Sequence, residues 1–293
     1  MLTVRPSVPE DVPAQRALWK LAFGDSDAYL DNFYNTYYRP ERVVVLEEDG
    51  VLRSMTAWFD TAFALPGRGE YRAAYLYAVA THPDCRGRGL AARLLAGADD
   101  YFRSVDIPAV TTVPAEPSLH IFFGSNGFRE CFRTLSETLR REEISQPPSN
   151  VLRPASPEEY GRVRERLLAG IPHIAYPADA LAYQAGCCAL GGGGLFVGDL
   201  SGDPLCLCAE RADEDLVIVK ELLGSANARR KAFSDLPRVA PTTRWEVRGP
   251  CPRDERPGPP EEPGRFAMLK WLDPALDQAW DWNDTGYLGL AFD

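Results

Sequence analysis

Residues 81–95 read THPDCRGRGLAARLL, with two arginines alternating with two glycines where an apolar strand pattern gives way to an apolar helix pattern. Ahead of them, AAYLYAVAT (73–81) is apolar, aromatic and β-branched, as a buried central strand is. Behind them, Leu90, Leu94, Leu95, Ala98 and Phe102 fall on one helical face. Arg86, Gly87, Arg88 and Gly89 therefore occupy a strand-to-helix turn. At a helix start the first backbone N–H groups lack intrahelical partners and carry the positive end of the helix dipole. Glycines let an anion approach those amides, and arginines add charge-assisted hydrogen bonds. The chemistry predicted is the holding of a phosphate or pyrophosphate. The spacing matches neither Gly-x-x-x-x-Gly-Lys-Ser/Thr nor Gly-x-Gly-x-x-Gly, which excludes two common phosphate loops. The competing reading is a plain glycine turn with solvated arginines.

The elements that must position this turn belong to a chain of 293 residues, long enough for two domains. With 45% hydrophobic and 25% charged residues it reads as a soluble globular protein. A formal net charge of −10 argues against non-specific nucleic-acid binding. The opening MLTVRPSVPED has no apolar run for a secretory signal, and no stretch approaches the roughly 18 apolar residues of a membrane span. Seven scattered cysteines fit a reducing compartment better than a disulfide framework, so the expected location is cytoplasmic, with no membrane partner. Cys187-Cys188 and Cys206-x-Cys208 lie far in sequence from His82, His120 and His173, and no metal is expected.

An internal echo organises the chain. Val4-Arg5-Pro6-Ser7-Val8-Pro9-Glu10-Asp11 returns as Leu152-Arg153-Pro154-Ala155-Ser156-Pro157-Glu158-Glu159. A helical pattern follows each copy, then two strand-like runs around a polar turn: RVVVLEEDGVLRSMTAWF in the first, GLFVGDLSGDPLCLCAE in the second. Two related α/β units are predicted, residues 1–145 and 151–293, joined near ISQPPSN. Where the first has the arginine-glycine turn, the second has DLVIVKELL followed by SANARRKAFSDL, so only the first keeps the anion site. The proline- and glycine-rich tract 248–265 reads as a loop, ahead of a strand-like RFAMLKWL and an aromatic tail.

Arg86-Gly87-Arg88-Gly89-Leu90-Ala91 resembles the Arg/Gln-x-x-Gly-x-Gly/Ala motif of the GNAT superfamily, the GCN-related N-acetyltransferases. It follows a strand ending in a His-Pro pair, as in that family, and precedes a strand IPAVTTV and a closing IFFGSNGF. The resemblance covers roughly residues 1–135. It implies a mixed α/β fold with a splayed, largely antiparallel central sheet, and acetyl-CoA as cosubstrate, with its pyrophosphate on Arg86 to Ala91. It also implies that backbone groups of Val79, Ala80 and Thr81 hold the pantetheine and the acetyl carbonyl, which polarises the thioester. The activity implied is direct acetyl transfer to a primary amine. Many relatives carry a tyrosine, the acid for the leaving thiolate, where this chain has Phe123. Either another group supplies that proton or the thiolate leaves unaided, which a thiol pKa near roughly 8.5 allows. A cofactor-binding sensor or scaffold with weak turnover is the alternative function that Phe123 raises.

The two-copy order, with Phe123-Gly124-x-x-Gly127-Phe128, is similar to the enhanced intracellular survival type, where a GNAT domain is followed by a degenerate GNAT-like domain and a sterol-carrier-like domain. The third is expected to be absent or reduced to a short tail, and a homo-oligomer is implied. In those relatives the C-terminal carboxylate assists amine deprotonation, which makes Asp293 a candidate, against the reading of a frayed tail. Tyr75, four residues before Val79 on the same strand face, matches a glutamate of some relatives and is either a proton relay or a core tyrosine. His120 is a further candidate in the closing segment. The acceptor wall is expected in FGDSDAYLDNFYNTYY, where Asp25, Asp27 and Asp31 interleave with Tyr29, Phe33 and Tyr34. An acidic, aromatic wall of Asp27, Tyr29, Asp31 and Tyr34 suits a cationic small molecule or a lysine side chain. A solvated amphipathic face is the other reading.

Overall fold

The computed structural model describes residues 1–251 and 264–292. The first half runs β1 (Leu2–Pro6), α1 (Val12–Phe23), α2 (Asp27–Thr36), β2 (Val43–Glu48), β3 (Val51–Leu65), β4 (Gly69–Thr81), α3 (Leu90–Ser104), β5 (Ala109–Thr112), α4 (Pro117–Ser125) and β6 (Arg129–Arg140). The second runs β7 (Arg153–Pro154), α5 (Pro157–Leu168), β8 (His173–Ala175), α6 (Ala178–Leu190), β9 (Gly194–Asp199), β10 (Pro204–Asp213), β11 (Leu216–Leu223), α7 (Ala226–Phe233), α8 (Leu236–Val239), β12 (Arg244–Pro250), β13 (Arg265–Trp271) and α9 (Pro274–Ala279).

All these strands form one mixed sheet in the order β1-β2-β3-β4-β5-β13-β6-β12-β11-β10-β9-β7, with β8 on β3. It is antiparallel except where β4 pairs β5 and β11 pairs β12. The order reads alike from both ends towards the central β13–β6 pair. At that centre the halves exchange strands: β13 pairs β5 of the first half, and β6 pairs β12 of the second. The strand expected at RFAMLKWL is therefore present, but it sits in the first half's part of the sheet. The loop expected at 248–265 falls mostly outside the described residues, which stop at 251 and resume at 264.

Local chemistry explains the repeat. Arg5 reaches Asp11 at 2.7 Å and Arg153 reaches Glu159 at 2.9 Å, the same six-residue span in both copies of the echo. The hairpin between β2 and β3 turns on Asp49 and Gly50, both at positive φ, as a two-residue type I′ loop demands. The β9–β10 loop uses Ser201 and Gly202 in the same way. One apolar core spans both halves, from Trp19, Phe33 and Phe59 to Tyr183 and Phe292. A second lies under α3, and a third under α7 and α8. Helix α3 buries Leu90, Leu94, Leu95, Ala98 and Phe102, the face read from the spacing. It lies so near β1 that a Cβ on Gly97 would stand 2.5 Å from Val4 Cγ1.

Candidate functional site

β4 and β5 pair only from Ala73↔Ala109 to Leu76↔Thr112, while β4 runs on to Thr81. Past Leu76 the two strands part, and the β5-facing edge of β4 has no strand against it. A bulge falls there: Ala57 pairs Tyr77 and Met55 pairs Ala80, so Ala78 and Val79 stand opposite the single residue Thr56. Ala78 has φ +49°, the left-handed region that L-residues avoid. The parting holds a cavity of about 370 Å³ lined by Leu76, Tyr77, Ala78, Val79, Thr112 and Val113, among others. α1, α2 and the turn between them add Trp19, Phe23, Asp25 and Tyr29; α4 adds Leu119 and Phe123; Phe292 comes from the far end of the described chain.

β4 then delivers the chain to the turn 86–89. Gly87 and Gly89 have φ +72° and +75°, and a Cβ on either would meet nothing within 4 Å. Glycine is thus required here by backbone conformation. The first backbone bond of the following helix runs from Arg93 N–H to the Gly89 carbonyl at 3.1 Å, so the amides before it form an open helix start. Arg86 and Arg88 are exposed; Arg88 bonds Glu48 and holds its carboxyl below the usual range. Arg86 Nε donates to the Thr81 carbonyl at 3.3 Å. Leu90 is buried beneath the turn, and Ala91 is half-buried beside it. These groups suit a pyrophosphate at the turn with its attached arm running along the open edge of β4.

Not every expected site residue meets the cavity. Val79 lines it, but Ala80 and Thr81 do not, and the Ala80 carbonyl already accepts from Ser54 Oγ at 2.6 Å. Asp27 and Asp31 lie outside it, on the outer face of α2. Asp31 accepts from Arg16 at 2.7 Å, and Asp27 faces Lys20 at 2.5 Å. Tyr34 is turned to Gln15, at 3.2 Å, and to the Trp19 ring. Asp25 is the one carboxylate lining the cavity among the described residues, and it accepts from Trp19 Nε1 at 2.7 Å. His120 lies off the cavity on Glu130, at 2.8 Å. Asp293 lies outside the described residues.

Sequence reasoning missed three things here. Tyr29 shares a hydrogen bond with Tyr77 at 2.8 Å, and Tyr77 with Tyr183 of α6 at 2.9 Å, a hydroxyl chain that joins both halves. Burial raises the pKa of all three hydroxyls, which keeps them neutral, and pushes the neighbouring Cys187 thiol up to about 12. Tyr75 is buried, and its hydroxyl accepts the Phe292 N–H at 3.2 Å. The tail that brings Phe292 is itself anchored in the second half. Arg164 donates to the Leu288 carbonyl at 3.1 Å and to Glu221 at 2.8 Å, and Tyr176 donates to the Leu290 carbonyl at 2.7 Å. Among the described residues no helix is long and apolar enough to cross a membrane, and no group of three or more His, Cys, Asp or Glu could hold a metal.

Residues 3–128 match a family model described as "Acetyltransferase (GNAT) domain". No curated protein matches the chain. Among solved structures, a GCN5-related N-acetyltransferase from Anabaena variabilis is similar, with a TM-score of 0.69 and 14% identity over 93% of this chain and 73% of that one. Eis1 from Mycobacterium abscessus gives 0.64 and 14% over 92% and 74%. A tandem GNAT protein from the clavulanic acid biosynthesis pathway gives 0.55 and 13% over 94% and 99%. At these identities the likeness is one of fold.

Proposed function

Since residues 3–128 match a GNAT acetyltransferase domain model and the chain shares the fold of GNAT structures, we propose that the protein is an acetyl-CoA-dependent N-acetyltransferase of that superfamily, acting on a primary amine carried by a cationic small molecule or a lysine side chain. The observation that carries this reading is the parting of β4 from β5 just past Leu76, with a cavity inside it and the glycine-arginine helix start at its end. Residues 1–145 form the catalytic unit. Residues 151–293 form a degenerate GNAT-like unit, a reading supported by the mirrored strand order and the repeated parallel pair.

Acetyl-CoA supplies the activated acyl group. The helix-start amides, Arg86 and Arg88 hold its pyrophosphate, which draws Arg88 from Glu48. Leu90 and Ala91 seat the turn, and Phe123 and Leu119 wall the arm from water. The unpaired edge of β4 at the bulge offers Val79 to the thioester carbonyl, where a hydrogen-bond donor stabilises the charge that develops as the amine attacks. Ala80 and Thr81 act by fixing the bulge through Ser54 and Arg86. On the acceptor side Asp25 holds the cation, with Tyr29 and Trp19 against its body. Asp27, Asp31 and Tyr34 contribute as the outer shell of that wall. Tyr75 and Asp293 are the groups proposed to take the amine's proton.

Calorimetry with acetyl-CoA tests the reading, followed by thiol release with polyamines, aminoglycosides and lysine peptides. A hydrogen bond to a charged group is worth about 1.5–3 kcal/mol, so Arg86→Ala with Arg88→Ala should weaken acetyl-CoA more than tenfold. Asp25→Asn should raise KM for the amine and leave acetyl-CoA affinity unchanged. Absence of acetyl-CoA binding by the wild type refutes the reading. Phe123, which puts no hydroxyl into the cavity, favours a second reading as an acyl-CoA-binding sensor. Binding without release by any amine, together with a large rate gain in Phe123→Tyr, would select it.

A further inference from the structure

The second half has an opening of its own. β11 and β12 pair in parallel from Leu216↔Arg244 to Val219↔Val247, and past that pair β11 runs on to Leu223 and β12 to Pro250 unpaired with each other, where β4 and β5 likewise cease to pair past Leu76. A helix follows each overrunning strand, α3 in one case and α7 in the other. The second opening holds a cavity of about 490 Å³, larger than the first. Leu222, Leu223, Gly224 and Ser225 form one wall and Pro250 and Cys251 another, all of them beyond the last parallel pair.

The chemistry of this cleft differs from that of the first. Ser225 caps α7 by accepting the Ala228 N–H at 3.2 Å, and its hydroxyl donates to Asp203. The helix start is thus satisfied and faces a carboxylate, which disfavours a pyrophosphate. The positive charge lies one turn further on, at Arg229. Among the described residues the Arg229 side chain makes no hydrogen bond or ion pair; the residue is half-buried and its Nε is sealed from solvent. A guanidinium that loses hydration without gaining a counter-charge is unfavourable, and an anion at that point relieves the cost. Arg133 adds a second positive group to the lining, and among the described residues no carboxylate lines the cavity. Leu167, Leu168 and Ile171 of the α5 end supply an apolar surface opposite. Ser225 and Gly170, both exposed, stand at the mouth. The volume is within the roughly 300–1,000 Å³ of small-molecule sites.

We propose that this cleft binds a small oxyanion with an apolar body, a carboxylate or a phosphate monoester seated on Arg229, and that it does not bind coenzyme A. The site is separate from the acetyl-CoA cleft, so its existence does not depend on the proposed activity.

The test is calorimetry with octanoate and with phenyl phosphate, one probe for each source of the headgroup. At least one should bind once per chain, weaken tenfold or more in Arg229→Gln, and bind undiminished to the Arg86→Ala, Arg88→Ala double variant. Coenzyme A should not displace it. Hydrogen exchange on the wild type supplies a measurement free of folding defects: the bound probe should slow exchange over 222–229 and leave 76–91 unchanged. Failure of both probes to bind, affinity that survives Arg229→Gln in a folded variant, loss of binding in the double variant, or protection confined to 76–91 would each overturn the proposal.

Discussion

Ala78 offers the sharpest test of how the backbone makes the site. It holds φ +49° inside a bulge, packed between β3 and an open strand edge, and its neighbour Val79 lines the cavity. An L-residue in the left-handed region costs roughly 1–2 kcal/mol. Glycine removes most of that cost but gives back about 0.4–1 kcal/mol, because it frees the unfolded chain. Ala78→Gly should therefore stabilise the protein by about 0.5–1 kcal/mol, and at about 2–4 °C per kcal/mol the melting point rises by about 1–4 °C. Ala78→Val goes the other way. A β-branched side chain at positive φ is an outlier whose strain is of order 1–3 kcal/mol, and the bulge can escape it only by flattening. Flattening re-aims Val79, so acetyl-CoA affinity should fall at least tenfold in Ala78→Val and stay within about twofold of wild type in Ala78→Gly. Thermal melts and acetyl-CoA calorimetry read both effects. A glycine variant that melts lower than wild type, or a valine variant that keeps full affinity, would refute the claim that this conformation shapes the site.

Other perturbations follow from single contacts. Arg164→Met leaves Glu221 buried without its cation and takes from the Leu288 carbonyl one of its two donors, the Tyr176 hydroxyl remaining, so about 3–5 kcal/mol should be lost in a urea titration, with the tail loosened at Phe292. Burial alone would raise the pKa of Glu165, but His173, at 2.9 Å, and Arg164, at 3.0 Å, outweigh it and hold that carboxyl below its ordinary value. Its stabilising contribution is thus present above the ordinary carboxylate range and lost as pH falls through the depressed value; urea midpoints of Glu165→Gln should fall less steeply with acid than those of wild type. Gly97→Ala drives a Cβ against Val4, and the overpacking should cost about 1–3 kcal/mol by the same titration.

The legible parts of this molecule are those set by local patterns. Helix α3, the glycine-arginine turn and the hairpins at Asp49-Gly50 and Ser201-Gly202 follow from periodicity and turn chemistry. The echo around Arg5 and Arg153 extends from sequence to local structure, since each arginine closes the same short loop onto an acid. The acidic wall was harder to read, since composition does not give helix phase. α2 turns Leu30 and Phe33 inward, which places Asp27 and Asp31, four residues apart, on the outer side with Arg16. Asp25 reaches the cavity because it precedes the Ser26 cap, before the helix phase begins. Ala78 carries no glycine to announce its positive φ. The Tyr29–Tyr77–Tyr183 chain rests on contacts between residues 48 and 106 positions apart, and the exchange of β6 and β13 on pairs more than a hundred apart, for which no local pattern exists.

That exchange bears on why the second half is present at all. A parallel pair that parts midway has a free flank, and β5, only four residues long, would close on β4 if nothing held it away. β13 pairs it residue for residue from Ala109↔Trp271 to Thr112↔Met268, and so braces the far side of the opening. β13 in turn leans on β6, whose other end is fixed to β12. Lys270 of β13 ties the same brace to Asp99 of α3, the helix that follows the glycine-arginine turn. Tyr183 of α6 bonds Tyr77 of the cavity wall, and Phe292 closes the cavity from a tail held by Arg164 and Tyr176. The second half thus supplies the brace, the back wall and the cover of a cavity whose strand edges belong to the first. The first half's opening is therefore framed by both halves: β4 and β5 belong to the first, and the strand that pairs the outer edge of β5 to the second, so the opening keeps its width while the two are folded on one sheet.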